Sequence, residues 1–192
     1  SQFISSSRFR FANRMVDFMT IVGKSKRLLR SGWVREKIKD PGSVAEHSFR
    51  ITVLAIVLAD QLGVDKEKLI KMTFVQDLGE VTTGDLVFER GELIDIKKKG
   101  EKEIKEKEGV KNILRNIGAD KEYIKIFDEM IKKKSLEAKI FWQIDKLEMA
   151  MQALEYEKEQ NKRLDEFFIN AGLQIETPVL KKIFLEILKR RT

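Results

Sequence analysis

Proline, the residue that most reliably breaks a helix, occurs at only two positions in this 192-residue chain, Pro41 and Pro178. Proline lacks a backbone N–H and clashes with the preceding helical turn, so its rarity leaves room for long helices. Leu, Ile, Lys and Glu, all good or acceptable helix formers, are abundant around these two prolines. We therefore predict an all-α fold. Because no internal repeat or long linker divides the sequence, we expect one domain over residues 1–192.

Hydrophobic periodicity and end signals divide the chain into successive helices. Ser43 and Glu46 have the spacing of a capping box, and the apolar run that follows stops at Gly63. A first helix is predicted after the serines at 5–7 and up to residue 22, and 24–41 is predicted to be a loop or short turns. Further helices are predicted over 65–80, 97–117, 120–134, 136–159 and 164–170, with a last one that has Thr177 as cap and Pro178 at its first position. Residues 82–85 are predicted to form a turn.

Composition excludes several classes of function. The chain has no cysteine, which excludes disulfides, thiol catalysis and thiolate metal sites and favours an intracellular protein. No stretch approaches the roughly 18 to 20 uncharged apolar residues of a membrane span, so we expect a soluble, cytoplasmic protein without membrane contact. The net charge of +7 favours phosphate-bearing partners.

Nucleic-acid binding is the weaker interpretation of that positive charge. The lysines of the segment 97–107 are interleaved with glutamates and have no aromatic residues between them to stack on bases. The segment is therefore typical of a solvated helix face, and nucleic acid is not an expected partner. Strong, salt-sensitive binding to DNA or RNA would favour the alternative of a basic helical nucleic-acid binder.

A few polar residues within apolar helices are candidates for chemistry. His47 is the only histidine and lies one turn into the helix that begins at Ser43. Asp77 and Glu80 are three positions apart, so a continuing helix presents them on one face. Asp145 lies in an apolar run, where a carboxylate is costly to bury unless it is paired or binds a cation. A structural histidine, a solvated helix end and a salt bridge are the corresponding alternatives without catalysis.

Three motifs then occur in order: VAEHSFR at 44–50, QDLGEVTTGDL at 76–86 and EAKIFWQIDKLEMA at 137–150. They resemble the HD-domain phosphohydrolase superfamily, and within it the 5'-deoxynucleotidase branch. The resemblance extends from the SGW segment at 31–33 to residue 156. It implies a single-domain helical bundle whose motif-bearing core spans about 30–156, followed by C-terminal helices at 164–191.

The resemblance also implies a divalent metal ion held by a histidine, a His-Asp pair and a distant aspartate. These positions correspond to His47, Gln76 with Asp77, and Asp145. Mn²⁺, Co²⁺, Mg²⁺, Ni²⁺ and Zn²⁺ are all candidates for the ion. Glu80 and Asp85 match the acidic positions that contact substrate or the attacking water, and are the expected catalytic residues.

The same resemblance implies residues that bind the substrate, a deoxynucleoside monophosphate. Trp33 matches the tryptophan that packs against the nucleoside. The bacterial branch has a phosphate-binding arginine beside that tryptophan, whereas this chain has Gly32, so either Arg30 or Arg35 would have to supply the charge. Glu129 corresponds to a further acidic position before the last motif.

Gln76 departs from the pattern, because the defining histidine of the family should stand there. A carboxamide oxygen is a weaker ligand than imidazole, so we expect lower metal affinity and a preference for harder ions such as Mn²⁺ or Mg²⁺. An engineered replacement that silences hydrolysis and a natural variant with lost or retuned activity both fit the sequence.

The leading functional prediction is a metal-dependent phosphohydrolase that removes phosphate from deoxynucleoside 5'-monophosphates, weakened or inactive because of Gln76. A catalytically silent nucleotide-binding protein of the same fold is one alternative. An HD-type hydrolase of another nucleotide, such as a triphosphate or a cyclic nucleotide, is a second. A homodimer is expected from the resemblance, and the apolar stripe of the terminal helix at 183–188 is either part of the interface or ordinary core.

Overall fold

The computed structural model describes residues 2–83 and 96–191, with side chains described for 8–83 and 100–191. Within these ranges the chain forms α-helices and no strand, apart from an isolated antiparallel bridge between Leu29 and Ser43. The helices are α1 (Gln2–Gly23), α2 (Ser31–Arg35), α3 (Val44–Leu62), α4 (Lys66–Thr83), α5 (Ile96–Arg115), α6 (Asp120–Lys132), α7 (Leu136–Gln160), α8 (Asp165–Gln174) and α9 (Pro178–Lys189), and a 3-10 turn at Lys24–Lys26 follows α1. The prediction of an all-α fold is confirmed.

Local end signals set most of the helix boundaries. The side chain of Ser43 accepts a hydrogen bond from the backbone N–H of Glu46, and the Glu46 carboxylate accepts one from the backbone N–H of Ser43, which completes the predicted capping box. Gly63 ends α3 in the left-handed conformation, at φ 65°. Ser135 likewise caps α7, by accepting from the backbone N–H of Ala138.

Three predicted boundaries are wrong. Helix α1 begins at Gln2, so the serines at 5–7 are helical instead of preceding the helix. Helix α4 continues to Thr83 and therefore includes two residues of the predicted turn, the rest of which lies outside the described residues. The hydroxyl of Thr82 donates back to the carbonyl oxygen of Gly79, 2.7 Å away, an arrangement that lets threonine stay in a helix. Helix α8 extends to Gln174, where the Gln174 amide donates to the side chain of Asn170.

Helix α7 lies at the centre of the core, in contact with α3, α4, α6, α8 and α9. Apolar residues are buried along nearly its whole length, and three polar residues, Gln143, Asp145 and Glu148, are buried among them. The side-chain amide oxygen of Gln143 accepts hydrogen bonds from the backbone N–H groups of Glu176 and Thr177, at 3.0 and 2.8 Å, and thereby fixes the start of α9. Asp145 and Glu148 face the opposite partner, α3.

Helices α4 and α5 pack so closely that only glycine fits at the contact. A Cβ atom on Gly109 would lie 2.3 Å from the hydroxyl oxygen of Thr82, and one on Gly79 would lie 3.2 Å from Glu106 Cβ. This approach brings the polar side chains of α5 to the cavity described below.

The C-terminal helix adds apolar residues to the core. Phe184 and Ile187 of α9 are buried against the bundle, so this part of the terminal stripe is core. Among the described residues, no helix combines the length and the apolar character that crossing a bilayer requires.

Candidate active site

The single histidine lies between two carboxylates of α7. His47 is buried in the first turn of α3, where the capping box fixes the start of the helix. Its Nε2 lies 3.1 Å from Asp145 Oδ1, and its Nδ1 bonds to Glu148 Oε2. Because Asp145 and Glu148 are three positions apart in a helix, their side chains share one face and meet the ring from both sides.

These contacts set the charges in the cluster. Burial and the positive charge of Arg30 favour the neutral imidazole, but the hydrogen bonds to Asp145 and Glu148 outweigh them and raise the pKa of His47 to about 9. Burial works against ionisation of Asp145 too, yet the charge of Lys146 and the bond to His47 lower the pKa of that carboxyl. The Lys146 ammonium lies 3.3 Å from the second Asp145 oxygen. His47 is therefore a protonated ring held by ionised acids when no cation is bound.

Gln76 presents a polar atom without a partner next to this cluster. It lies on α4 with its side chain buried, and its amide oxygen has no hydrogen-bond partner among the described residues. Gln76 and Asp145 line the same cavity, of about 420 Å³. A buried carbonyl oxygen without a donor is costly, so a cation or a donating group beside Gln76 would satisfy it.

Asp77, the next residue, lines a different cavity together with Ser48 and Thr73. Successive positions of a helix are about 100° apart, which separates the directions of the two side chains. One oxygen of Asp77 is buried without a hydrogen-bond partner among the described residues. Burial raises the pKa of Asp77 to about 7, against the effect of a hydrogen bond from Ser48; the charges of Glu80, His47 and Arg30 also reach it.

Glu80 and Arg30 form an ion pair at the cavity wall. The Arg30 guanidinium lies 3.5 Å from a Glu80 carboxylate oxygen, and both side chains are largely buried. Arg30 is held there because its backbone N–H donates to the carbonyl oxygen of Gly42, 2.9 Å away, just before α3. The cavity thus has a carboxylate and a guanidinium close to the cluster of His47 and Asp145.

Helices α5, α6, α7 and α8 complete the wall of this cavity. Its other lining residues are Lys102, Glu103, Glu106, Met130, Ile131, Lys133, Trp142, Lys146 and Gln174. Glu106 is buried, which raises its pKa, although Lys102 and a hydrogen bond from Thr83 act in the opposite direction. Arg30 and three lysines stand on this wall together with four acidic residues, so a phosphate would have to pair locally with the basic groups and not with a net positive wall.

The remaining predicted substrate residues lie away from the cavity. Trp33 is buried, stacks on Phe167 with ring centres 4.4 Å apart and meets the edge of Tyr156. Arg35 pairs with Glu36 and Glu166 on the outer side of α2.

Two other predicted site residues are also apart from this cavity. Glu129 lies on α6, 3.3 Å from the ammonium of Lys68, and borders a separate surface depression. Asp85 lies outside the described residues.

The donors that do meet suit a hard divalent cation. Among the described residues, no group of three His, Cys, Asp or Glu side chains forms a metal centre. His47 Nε2 and Asp145 nevertheless lie in contact, and Gln76 lines the same cavity as Asp145, so one imidazole, one carboxylate and one amide are available there, while Asp77 lines a separate cavity. Oxygen-rich sets with one imidazole are compatible with Mn²⁺ or Mg²⁺.

Sequence reasoning missed Glu148, Arg50 and Lys102. Glu148 is an acid in the same apolar helix as Asp145, three residues further on, and that spacing was the available signal. The Arg50 guanidinium donates to Glu148 from a position one turn after His47 on α3. Lys102 belongs to the charged segment 97–107, which was interpreted only as a solvated face.

Comparison with known proteins identifies the class to which this bundle and its buried histidine belong. The HD domain matches residues 22–188, and the chain is a member of the HD-domain family.

The curated relatives are named for one activity. The 5'-deoxynucleotidase HDDC2 of Danio rerio is 38% identical over 170 residues, covering 86% of this chain and 82% of its own length. The human protein of the same name is 31% identical over 185 residues, covering 94% of this chain and 88% of its own. A solved structure described as a conserved hypothetical protein from Pyrococcus furiosus has a TM-score of 0.73 and 32% identity, covering 91% of this chain and 99% of its own. The predicted resemblance is confirmed.

Proposed function

We propose that this chain is a metal-dependent phosphohydrolase that removes phosphate from deoxynucleoside 5'-monophosphates, with metal binding and turnover reduced by Gln76. The observation that carries the proposal is the buried contact between His47 and Asp145 at the edge of a cavity that also presents Glu80 and Arg30. The relatives named 5'-deoxynucleotidase support the substrate class.

The proposed metal ligands are His47, Gln76 and Asp145, and Asp77, which lines a separate cavity, is included on the resemblance alone. A divalent cation at this position supplies Lewis-acid polarisation of a phosphoryl group and of a water molecule. Mn²⁺ and Mg²⁺ suit the donors best, whereas Co²⁺, Ni²⁺ and Zn²⁺ prefer the additional imidazole that Gln76 replaces.

The protein side chains position the substrate and the proton. The Arg30 guanidinium binds the phosphate by charge-assisted hydrogen bonds, with Lys102 and Lys146 adding positive charge along the wall. A Glu80 carboxylate oxygen accepts the proton of the attacking water and is held in place by Arg30. Asp85, as the second acidic residue of the same motif, contacts the sugar or the leaving group.

The other predicted substrate residues do not line the cavity. Trp33 packs in the core and Arg35 pairs with two acids, so neither side chain would contact a substrate in the cavity directly. Glu129 is likewise retained as a substrate residue on the resemblance alone.

Phosphate release tests this proposal. Purified protein is incubated with each deoxynucleoside 5'-monophosphate and with Mn²⁺, Mg²⁺ or Co²⁺, and inorganic phosphate is measured. Gln76→His is expected to bind Co²⁺ more tightly and to release phosphate faster. The gain in affinity should exceed the roughly 100-fold that changes in residues behind the ligands can produce, because a ligand itself is replaced. Equal Co²⁺ affinity of both forms, or no phosphate release by the histidine variant, would contradict the proposal.

A specific observation favours a second candidate, a nucleotide-binding protein without hydrolysis. A glutamine at a ligand position leaves fewer strong donors, and loss of one ligand can abolish metal function. This candidate predicts that a deoxynucleoside monophosphate binds with the same affinity with and without metal, while no phosphate is released. Release of triphosphate or of a linear product from another nucleotide would instead favour a different HD-type hydrolase.

The oligomeric state is predicted from the family resemblance, and the cellular location from the composition. We propose one domain, a cytoplasmic location and a homodimer. Sedimentation of the purified chain distinguishes the dimer from a monomer.

A further inference from the structure

The buried Glu148 has no part in the proposed chemistry, yet it bonds directly to the only histidine. Glu148 is buried, with only 3% of the residue exposed to solvent. One oxygen, Oε2, bonds to His47 Nδ1, and the other, Oε1, accepts from Arg50 Nε at 2.9 Å. A buried carboxylate bound at both oxygens has a fixed orientation.

Arg50 is itself fixed by two further partners on α7. Its Nη1 donates to Glu155 at 2.6 Å and its Nη2 donates to Gln152 at 3.0 Å. Three bonds from one planar guanidinium to three residues of one helix leave little freedom to rotate. The line of contacts from Arg50 through Glu148 to His47 therefore joins α3 and α7 beside the ring.

We infer that Glu148, held by Arg50, is a positioning residue that keeps a proton on His47 Nδ1, so that Nε2 faces Asp145 as the nitrogen available to a cation. The reason lies in the two nitrogens of imidazole, since the nitrogen that binds a metal must give up its proton and the other then carries it. A carboxylate can only accept when ionised, so Glu148 requires a donor at Nδ1. Such outer carboxylates orient metal-binding histidines and strengthen them as ligands.

Replacement by glutamine has a specific consequence because Arg50 only donates. In Glu148→Gln the amide must turn its oxygen toward Arg50, which places its NH₂ group against Nδ1. Nδ1 then becomes an acceptor, and the proton moves to Nε2, where Asp145 accepts it. The isosteric variant thus blocks the nitrogen that the proposed ligand set uses.

This inference rests on the proposed metal site, and its experiment separates the two. Affinity for Mn²⁺ alone is measured by calorimetry on the full chain. Nitrogen-15 spectra of metal-free protein labelled at histidine report whether Nδ1 carries a proton, and they contain one imidazole because His47 is the only histidine. If the wild-type chain binds no Mn²⁺, the proposed function fails, while the spectra still decide where the proton lies.

We expect Glu148→Gln to lose the proton at Nδ1 and to bind Mn²⁺ about 10- to 100-fold more weakly. The matched control is Glu155→Gln, which removes a more exposed acid from the same arginine and keeps wild-type affinity and spectra. Circular dichroism and thermal unfolding establish that each variant is folded. A Glu148→Gln variant with a proton at Nδ1, or with wild-type Mn²⁺ affinity, overturns the inference.

A second variant tests the orientation directly and guards against a merely structural effect. Arg50→Met, added to Glu148→Gln, removes the donor that orients the amide, so the amide oxygen becomes free to accept from Nδ1. The double variant is expected to bind Mn²⁺ at least about three-fold more tightly than Glu148→Gln. If Glu148→Gln loses about tenfold in affinity, this recovers about half of the lost binding free energy. If the second change weakens binding further, Glu148 acts only by supporting the packing of α3 on α7, and the inference is wrong.

Discussion

Arg30 and Arg35 were equivalent candidates for the phosphate contact, and the structure gives different predictions for them. Arg30 lies at the wall of the cavity shared by Asp145 and Gln76, next to Glu80. Arg35 is turned toward Glu36 and Glu166, with its guanidinium 5.8 Å from the ring centre of Phe167. Arg30→Met should therefore weaken binding of a deoxynucleoside monophosphate, whereas Arg35→Met should leave it nearly unchanged.

The magnitude follows from the kind of bond that is lost. A hydrogen bond to a charged group contributes about 1.5–3 kcal/mol, which corresponds to roughly a 10- to 150-fold change in affinity. Lys102, Lys133 and Lys146 line the same cavity and keep part of the attraction for phosphate. We therefore expect a loss of about 10- to 30-fold, at the lower end of that range.

Calorimetric titration with dAMP in a metal-free buffer measures this difference without turnover. Arg35→Met is the matched control and should stay within about three-fold of wild type, since its partners lie on the outer side of α2. Thermal unfolding shows whether the loss of the Glu80 partner has also destabilised Arg30→Met. A larger loss of dAMP affinity in Arg35→Met than in Arg30→Met would refute the assignment of the phosphate contact.

Two further predictions concern the framework of the site. Gly109→Ala should lower the free energy of unfolding, measured by denaturant titration, by about 1–3 kcal/mol, because the new Cβ atom would lie 2.3 Å from Thr82 and force α4 and α5 apart. The control is Gly100→Ala, which has no neighbour within 4 Å and should be neutral or stabilising. The hydrogen bond from Arg191 lowers the pKa of Glu157 below its ordinary 4.5, so this pair stabilises the fold above that pH and the stabilisation is lost as the pH falls through the lowered value. Arg191→Gln should therefore show a shallower loss of stability as the pH falls below 4.5, and identical acid unfolding of both forms would contradict this.

Helix ends were predictable where a side chain satisfies the backbone locally. Ser43 and Ser135 accept from backbone N–H groups three residues later, and Gly63 adopts a conformation that other residues reach only with strain. The end of α4 was not predictable in this way, because its last turn is held by contact with α5. That contact depends on Gly109, 27 positions beyond Thr82 in the sequence.

The candidate site shows the same division between local and distant information. The motifs identified His47 and Asp145 as neighbours, and the structure places them 3.1 Å apart. The directions of Gln76 and Asp77 follow from the rotation of α4 against α3 and α7, which no motif contains. Lys102 lines the cavity only because α5 approaches α4 closely. The sequence of α5 does not contain that distance, so it cannot distinguish a solvated helix face from a cavity wall.

Helix α7 joins the stability of the bundle to the chemistry of the site. Gln143 fixes the start of α9, while Asp145 and Glu148, on another face of the same helix, hold His47. Without a cation, the protonated ring balances one of the two ionised acids, and the ion pairs of Arg50 with Glu148 and of Lys146 with Asp145 supply further positive charge at the contact of α3 with α7. A divalent cation that binds Nε2 must displace the proton there, and thus replaces one positive charge by two at the same place. Since Arg30 and Lys146 already supply positive charge around Asp145, such an exchange would depend on the buried carboxylates of α4 and α7.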